Sequence, residues 1–243
     1  MSQSLPAPPS ALDLLAEGEL EIVGQVPFSS NYVFVARACR DGDEALAIYK
    51  PRRGERPLWD FPQGSLAARE VAAYLVGVAA GWGLVPPTVL RRQAPLGSGS
   101  LQLFIEHDPE RHYFTLAEGR LEDFAVFAAF DVVINNADRK AGHVLEDAGG
   151  RLWAVDHGVT FHPHEKLRTV IWHLAGAPLD AATIEGLERL RLALSPRGRL
   201  AADLGKLLSA REIGATRRRV DRLLNEGRLP EPTGDHHLPW PLV

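Results

Sequence analysis

Two aspartates on successive loops are the residues of this sequence best suited to chemistry. Asp138 lies in the loop 136–143, Asn-Ala-Asp-Arg-Lys-Ala-Gly-His, and Asp156 ends a short apolar run, directly before a His-Gly pair. Phosphoryl transfer from ATP uses two such acids, because one orients the attacking group and the other holds a metal ion on the phosphates. The pair therefore indicates a kinase-type site, although each aspartate alone is also typical of an ordinary turn.

The first half of the chain contains candidates for the phosphate-binding part of such a site. The turn at Ser29, Ser30 and Asn31 offers hydroxyl, amide and backbone donors, although it has no Gly-x-Gly pattern. Lys50 ends a predicted strand and supplies a fixed positive charge, and Glu70 on a predicted helix is suited to pair with it. We therefore predict that all five bind the nucleotide and that Lys50 is also catalytic. A solvent-exposed lysine and glutamate are the alternative.

An extended stretch at 101–106 is suited to contact the adenine base through its backbone groups. We predict that Phe104, Ile105, Glu106 and His107 contribute to this part of the nucleotide site.

The hydrophobic pattern predicts a first half that is rich in strands. We expect strands at 20–24, 31–38, 44–50, 88–91 and 100–106, with a turn at 40–43. We also expect a short helix at 10–20, and a second helix that Ser65 caps and Gly81 ends.

The second half is predicted to be mostly helical. A helix at 119–134 precedes the Asp138 loop, and a hairpin pairs 144–146 with 152–155. Three more helices are expected to start at Asp180, at Ser195-Pro196 and at Ser209, where Glu212 completes a capping box. Gly227 is the expected end of the last helix.

This order of elements predicts an α+β, bilobal protein-kinase-like fold with ATP in the cleft between the lobes. The N-lobe is β-rich and the C-lobe mostly helical. The expected divisions are a flexible arm at 1–10, an N-lobe at 11–107, a C-lobe at 108–230 and a tail at 231–243.

Several short motifs resemble the phosphatidylinositol 3- and 4-kinase superfamily, and most of all the type II phosphatidylinositol 4-kinases. Their order and spacing over more than half the chain make the resemblance specific. The whole chain also resembles an actinobacterial family that carries this kinase-like domain, and that resemblance suggests no substrate. The matching segments are 29–35, 49–51, 69–75, 84–86, 99–106, 131–139 and 155–158.

The resemblance implies a role for each candidate residue. It implies that Lys50 binds the phosphates and pairs with Glu70, that Asp138 is the catalytic acid-base or orienting residue, and that Asp156 is a metal ligand. The chain departs from the family at His143, where these kinases usually place a metal-binding asparagine. Imidazole suits Mn²⁺ better than Mg²⁺. A shifted metal preference, a single-metal site and impaired catalysis all remain open, with ATP and Mg²⁺ or Mn²⁺ as the expected cofactors.

Composition excludes several classes of function. The 243 residues are 45% hydrophobic and carry a net charge of −4, which argues against nucleic-acid binding driven by overall charge. The single cysteine, Cys39, forms no disulfide within the chain, and the N-terminus has no signal-peptide pattern, so we expect a cytoplasmic location. No apolar run approaches the ~18 residues that span a bilayer, so we predict no transmembrane segment.

Two other polar groups admit a functional interpretation. His162 and His164 form a short histidine pair, but no cysteine or zinc-type spacing accompanies them, so we favour loop histidines. The run 217–219 contains three arginines, which point in different directions on a helix. We expect them to form a solvated face and no specific nucleic-acid site.

The function that these observations favour is transfer of the γ-phosphate of ATP to a hydroxyl of a lipid or protein acceptor. A nucleotide-binding pseudokinase without turnover is the alternative from a different class, and His143 motivates it. An enzyme that transfers AMP from ATP is a third possibility, which the mass of the product would distinguish.

Overall fold

The computed structural model describes residues 8–27, 31–234 and 236–243. Its described residues form two compact units. The N-terminal unit contains the chain up to Val71 together with Pro86–Ile105, and the C-terminal unit contains Ala72–Val85 together with Glu106–Val243.

The N-terminal unit is built on a five-stranded antiparallel sheet. Helix α1 is Pro8–Glu17, and the strands are β1 Glu19–Gln25, β2 Phe34–Arg40, β3 Asp43–Pro51, β4 Thr88–Arg91 and β5 Gly99–Leu103. The spatial order is β1-β2-β3-β5-β4. The predicted turn between β2 and β3 is confirmed, because Asp41 and Gly42 both have positive φ, as a tight hairpin requires.

One face of this sheet packs against α1. The buried alanines of β2 and β3 lie opposite one another, Ala36 against Ala47 and Ala38 against Ala45. Helix α1 packs on β2 to β5 and buries Leu14 and Leu15. Small side chains on the sheet let the helix approach closely, and the opposite sheet face is left for the candidate site.

Helix α2, Leu66–Ala80, has its first six residues in the N-terminal unit and the rest in the C-terminal unit. The remaining elements belong to the C-terminal unit. The helices are α3 Tyr113–Arg120, α4 Ala125–Ile134, α5 Ala181–Ala193, α6 Arg199–Leu204 and α7 Ala210–Glu226, and β6 Val144–Glu146 pairs with β7 Leu152–Ala154.

Helix α4 is central to the C-terminal core. Every residue from Phe127 to Ile134 is buried, and the helix packs against α5 and α7. A helix that is apolar on nearly all sides needs such complete burial. It ends at Asn135, whose left-handed conformation (φ 50°, ψ 57°) turns the chain into the Asp138 loop.

The structure confirms some helix ends and corrects others. The Ser209–Glu212 capping box and the left-handed Gly227 at the end of α7 are both present. The helix predicted at 119–134 ends at Ile134 as expected, but its predicted start is wrong, because Arg120 leaves the helical region (φ −142°, ψ 32°) and separates α3 from α4. The start predicted at Ser195-Pro196 is wrong because Gly198 bonds back to the Ser195 carbonyl in a turn, and α6 begins after it.

Two side chains also differ from expectation. The Ser65 hydroxyl donates to the Pro62 carbonyl, and the first amides of α2 instead donate to the carboxylate of Glu55. The expectation that residues 217–219 form a solvated face is wrong at Arg219, which is 6% exposed. Among the described residues, no helix is both long and apolar enough to cross a membrane.

Candidate active site

In the N-terminal unit, Lys50 lies on the sheet face opposite α1. Tyr49 is fully buried, so the next residue on β3 points to the other face. Ile48 and its cross-strand partner Val35 share the face of Lys50 and are half-buried. The arrangement is an apolar, partly open surface that ends in a positive charge. Such a surface suits the base and the phosphates of a nucleotide.

Lys50 forms an ion pair with Glu70, as the sequence predicts. Lys50 Nζ donates to Glu70 Oε1, and the Glu70 side chain is 3% exposed. The helix that carries Glu70 is fixed at its start, because the Glu55 carboxylate accepts from the amides of Leu66 (3.2 Å) and Ala67 (2.9 Å). A negative charge at a helix N-terminus is stabilising. Glu55 therefore helps to hold Glu70 against Lys50.

The other predicted nucleotide-binding residues are placed as follows. Ser29 and Ser30 lie outside the described residues. Asn31 Oδ1 accepts from the backbone amide of Arg56 at 2.7 Å. Phe104 donates its amide to the Leu46 carbonyl at 2.9 Å, and Ile105 is buried. In the C-terminal unit, Glu106 is exposed and His107 half-buried.

A cavity of about 1070 Å³ also lies in the N-terminal unit. Its lining includes Phe34 and Pro51, and Phe34 is paired with Tyr49 on the face opposite Lys50. The described residues that line it include neither Lys50 nor Glu70. We therefore do not assign this cavity to the phosphates.

In the C-terminal unit, a buried ion pair holds the loops of Asp138 and Asp156. Arg139 is fully buried, and its Nε and Nη2 bond the carboxylate of Asp131 on α4 at 3.0–3.1 Å. Its Nη1 donates to the carbonyls of His143 (3.0 Å) and Val155 (2.9 Å). One guanidinium group thus ties α4 to the residues that precede Asp156.

The Asp138 carboxyl is partly buried beside a lysine. Its backbone amide donates to Asn136 Oδ1 at 3.0 Å, and Lys140 Nζ lies 3.3 Å from its Oδ2. Burial raises the pKa of Asp138 to about 6, Lys140 opposes the rise, and the negative charge of Asp156 adds to it. A carboxyl with a pKa near 6 is a base at neutral pH and readily accepts a proton.

His143 contacts Asp156. Their Nε2 and Oδ2 atoms are 3.4 Å apart, the His143 side chain is 15% exposed and that of Asp156 is 51% exposed. Asp156 has a positive φ of 59°, a conformation that is uncommon outside glycine and often found at functional sites. The backbone therefore turns an exposed carboxylate outward next to an imidazole.

Asp156 fits a divalent metal ion better than His143 does in this arrangement. The Lys140 amide donates to His143 Nδ1 at 3.3 Å, so a neutral ring carries its hydrogen on Nε2, the atom facing Asp156. Mg²⁺ is usually held by one or two carboxylates and by substrate phosphates. The described residues contain no group of three or more His, Cys, Asp or Glu that could hold a metal. The role of His143 as a ligand stays a prediction.

Comparison with known proteins places the chain in a family. Protein Rv2133c of Mycobacterium tuberculosis is 38% identical over 265 aligned residues, which cover 94% of each protein. The chain belongs to the Rv2133c family. Phosphatidylinositol 4-kinase gamma 2 of Arabidopsis thaliana is 28% identical to this Rv2133c-family chain over 189 residues, which cover 68% of the chain and 32% of the plant protein. No protein-family model matches the chain.

Solved kinase structures share the fold of this Rv2133c-family member. Hydra Fam20 with sugar superposes with a TM-score of 0.59 at 14% identity and covers 92% of the chain and 89% of its own. The Golgi casein kinase with Mn and ADP bound superposes with a TM-score of 0.57 at 15% identity, and the match covers 90% of this chain and 75% of the kinase chain. The Helicobacter pylori kinase CtkA superposes with a TM-score of 0.51 at 10% identity, and the match covers 88% of this chain and 94% of CtkA. The predicted α+β, protein-kinase-like fold is confirmed.

Sequence reasoning missed the residues that hold the candidate site. Asp131 and Arg139 lie within a segment that carries the kinase resemblance, but nothing in their spacing distinguishes them from exposed charges. Asn135 was also missed. Its side-chain Nδ2 donates to the carbonyls of His162 and His164, and its Oδ1 accepts from the backbone amide of Lys166. A useful signal is that Asp131 interrupts an otherwise apolar helix, since a charge there needs a buried partner.

Proposed function

We propose that this Rv2133c-family protein is an ATP-dependent phosphotransferase that moves the γ-phosphate to a hydroxyl. The observation that carries the proposal is the partly buried Asp138 carboxyl, 3.3 Å from Lys140 Nζ, beside the exposed carboxylate of Asp156, whose charge helps to raise the pKa of Asp138 to about 6. One acid near neutrality and one exposed carboxylate are the two acids that phosphoryl transfer uses.

Each residue then has a role. Asp138 orients the acceptor hydroxyl and takes its proton. Asp156 would hold a divalent ion, Mg²⁺ or Mn²⁺, which neutralises charge on the phosphates when bound. His143, whose Nε2 lies 3.4 Å from Asp156 Oδ2, orients that carboxylate. Lys50, held by Glu70, supplies positive charge to phosphates.

The acceptor is proposed to be a hydroxyl of a lipid or of a protein. Similarity to a plant phosphatidylinositol 4-kinase supports an inositol lipid, in agreement with the resemblance to type II phosphatidylinositol 4-kinases. The fold similarity to the Golgi casein kinase is compatible with a protein hydroxyl. Fold alone does not decide between them, so the experiment must include both acceptors.

The deciding experiment is label transfer by the purified full chain from γ-labelled and, separately, α-labelled ATP. Each reaction contains Mg²⁺ or Mn²⁺ and one acceptor: phosphatidylinositol vesicles, dephosphorylated casein or the chain itself. We expect γ-label transfer to one acceptor. Asp138→Asn should lower the rate about 10²- to 10⁴-fold, the usual contribution of a general base. The exposed Asp13→Asn change on α1 is the matched control and should leave the rate unchanged.

Three outcomes would contradict the proposal. Transfer of α-label would identify an AMP transferase. ATP binding without transfer of either label would identify a pseudokinase. An unchanged γ-transfer rate in Asp138→Asn would remove Asp138 from the mechanism.

A further inference from the structure

A concave site in the C-terminal unit, separate from the cavity of the N-terminal unit, is lined by arginines. It has no role in the proposed reaction. Its volume is about 170 Å³. The typical ligand pocket encloses several hundred Å³, so this one fits a single small group and not a whole nucleotide. Its lining residues are Pro163, Glu165, Ala215, Arg218, Arg219 and Arg222.

The arginines converge because of their spacing on α7. Residues three and four apart lie on the same side of a helix, so Arg218, Arg219 and Arg222 form one stripe. Arg217 is adjacent in sequence but does not line the site. The consecutive arginines 217–219 therefore do not define the site. Arg218 and Arg219 belong to the stripe, and Arg222, further along the helix, completes it.

Contacts do not neutralise the charge of this stripe. Arg219 donates to the Val133 carbonyl (2.9 Å), the Thr216 hydroxyl (3.2 Å) and the His162 carbonyl (3.4 Å), which are all uncharged. The nearest acid is Glu165, 3.6 Å from Arg222 Nη1. The described part of the chain shows no hydrogen bond or ion pair for the Arg218 side chain. Three positive groups thus share one carboxylate.

Burial and repulsion both act on the stripe. Burial, together with the charges of Arg222 and Arg218 and against the opposing charge of Glu165, lowers the pKa of Arg219 to about 10. Within the described residues, the Nε of Arg222 is buried and has no hydrogen-bond partner. A buried donor without an acceptor is costly.

We propose that this stripe binds the phosphate group of a small soluble molecule, through Arg218 and Arg222 beside the fixed Arg219. A guanidinium group matches a tetrahedral oxyanion, because it offers parallel N–H donors together with charge. The cavity holds the phosphate, and its size leaves the rest of the molecule outside.

The arginine stripe of α7 faces the segment that follows Asp156. Pro163 and Glu165 belong to that segment, and Asn135 at the end of α4 already bonds the carbonyls of His162 and His164. Arg219 reaches Val133 on the same α4. The proposed phosphate site therefore lies where α7, the end of α4 and the segment 162–165 meet.

The test is thermal unfolding of the full chain over a range of inorganic phosphate concentrations, at fixed ionic strength with chloride as the balancing anion. Glycerol 3-phosphate is measured in parallel. Both should raise the unfolding temperature in a saturable way. The double variant Arg218→Gln, Arg222→Gln should weaken the apparent affinity at least about tenfold, since charge-assisted hydrogen bonds are lost. Arg217→Gln is the matched control and should change the apparent phosphate affinity less than about twofold.

Each remaining outcome would overturn the proposal. Equal stabilisation by chloride, or equal phosphate affinity in the double variant, would leave no specific site. Binding to phosphatidylcholine vesicles that contain phosphatidic acid, without any effect of the soluble phosphates, would identify a membrane surface instead. None of these measurements depends on catalysis, so the outcome is separate from that of the proposed phosphotransferase activity.

Discussion

The protonation state of Asp138 controls the proposed chemistry, so the rate should follow its titration. With a pKa of about 6, kcat/KM should rise with pH and level off above about 7. Lys140 lowers this pKa, so Lys140→Met should move the inflection to higher pH. Lys206→Met, at an exposed residue just after α6, is the control and should leave the inflection in place. A pH–rate profile that Lys140→Met does not shift would argue against Asp138 as the base.

The same shift makes Asp138 a destabilising group above its pKa. Its pKa rises from 3.8 to about 6 in the fold, so between these values the folded chain binds more protons than the unfolded chain. The free energy of unfolding therefore falls as pH rises from about 4 to about 6. Asp138→Asn removes this contribution, and its unfolding temperature should exceed that of the parent at pH 8 but not at pH 4. Equal differences at both pH values would contradict the shifted pKa.

Replacing His143 distinguishes a metal ligand from a residue that positions one. If His143 only orients Asp156, His143→Ala should weaken the apparent affinity for metal–ATP about 10- to 100-fold, as is usual for groups behind a ligand. The ratio of Mn²⁺-supported to Mg²⁺-supported activity should stay constant. A large fall in that ratio would instead identify imidazole as a direct ligand, since imidazole favours Mn²⁺.

At the residue scale, the sequence indicates the groups that react better than those that support them. Asp138, Asp156, Lys50 and Glu70 could be chosen because phosphoryl transfer specifies their types. Arg139 could not be chosen in this way, because its structural role depends on its burial against Asp131 and on its hydrogen bonds to the carbonyls of His143 and Val155. Such contacts depend on the tertiary fold and leave no local pattern.

The element scale offers a test in which helix propensity and packing oppose each other. Gly186 lies inside α5, where alanine would normally stabilise a helix by about 1 kcal/mol. However, a Cβ there would collide with the Trp82 ring, which packs edge-on against Phe130 (6.2 Å) and donates to the Ala182 carbonyl (3.4 Å). Overpacking costs about 1–3 kcal/mol. Gly186→Ala should therefore lower the unfolding temperature, and Gly119→Ala, where a Cβ meets open space, should not.

Helix ends follow from the sequence where the cap is local. Ser209, Glu212 and Gly227 satisfy their own helix, and the prediction at both ends of α7 is confirmed. The start of α2 did not follow, because its capping carboxylate comes from Glu55, which is eleven residues away from Leu66. The break at Arg120 had the same origin, since its guanidinium group binds Glu146 on β6 and the Gly150 carbonyl.

At the scale of the whole molecule, the order of elements predicted the kinase-like fold although identity to solved kinases is only 10–15%. Order survives because the sheet and α4 each need an apolar surface at a fixed place in the chain. The acceptor did not follow from that order. Acceptor choice depends on side chains outside the shared framework, and a fold hosts many such choices.

ATP binding by the whole molecule should be visible as stabilisation, whether or not turnover follows. A ligand at about 100 times its Kd contributes about 2.7 kcal/mol, and a chain of this size shifts by about 2–4 °C per kcal/mol, so metal–ATP should raise the unfolding temperature by roughly 5–10 °C. The variant for comparison is Lys50→Met with Glu70→Gln, because removing Lys50 alone would take the positive charge away from a buried carboxylate. This double variant should fold but lose most of the ATP-dependent shift. An equal shift in both proteins would place the ATP phosphates away from Lys50, and the nucleotide site proposed above would be wrong.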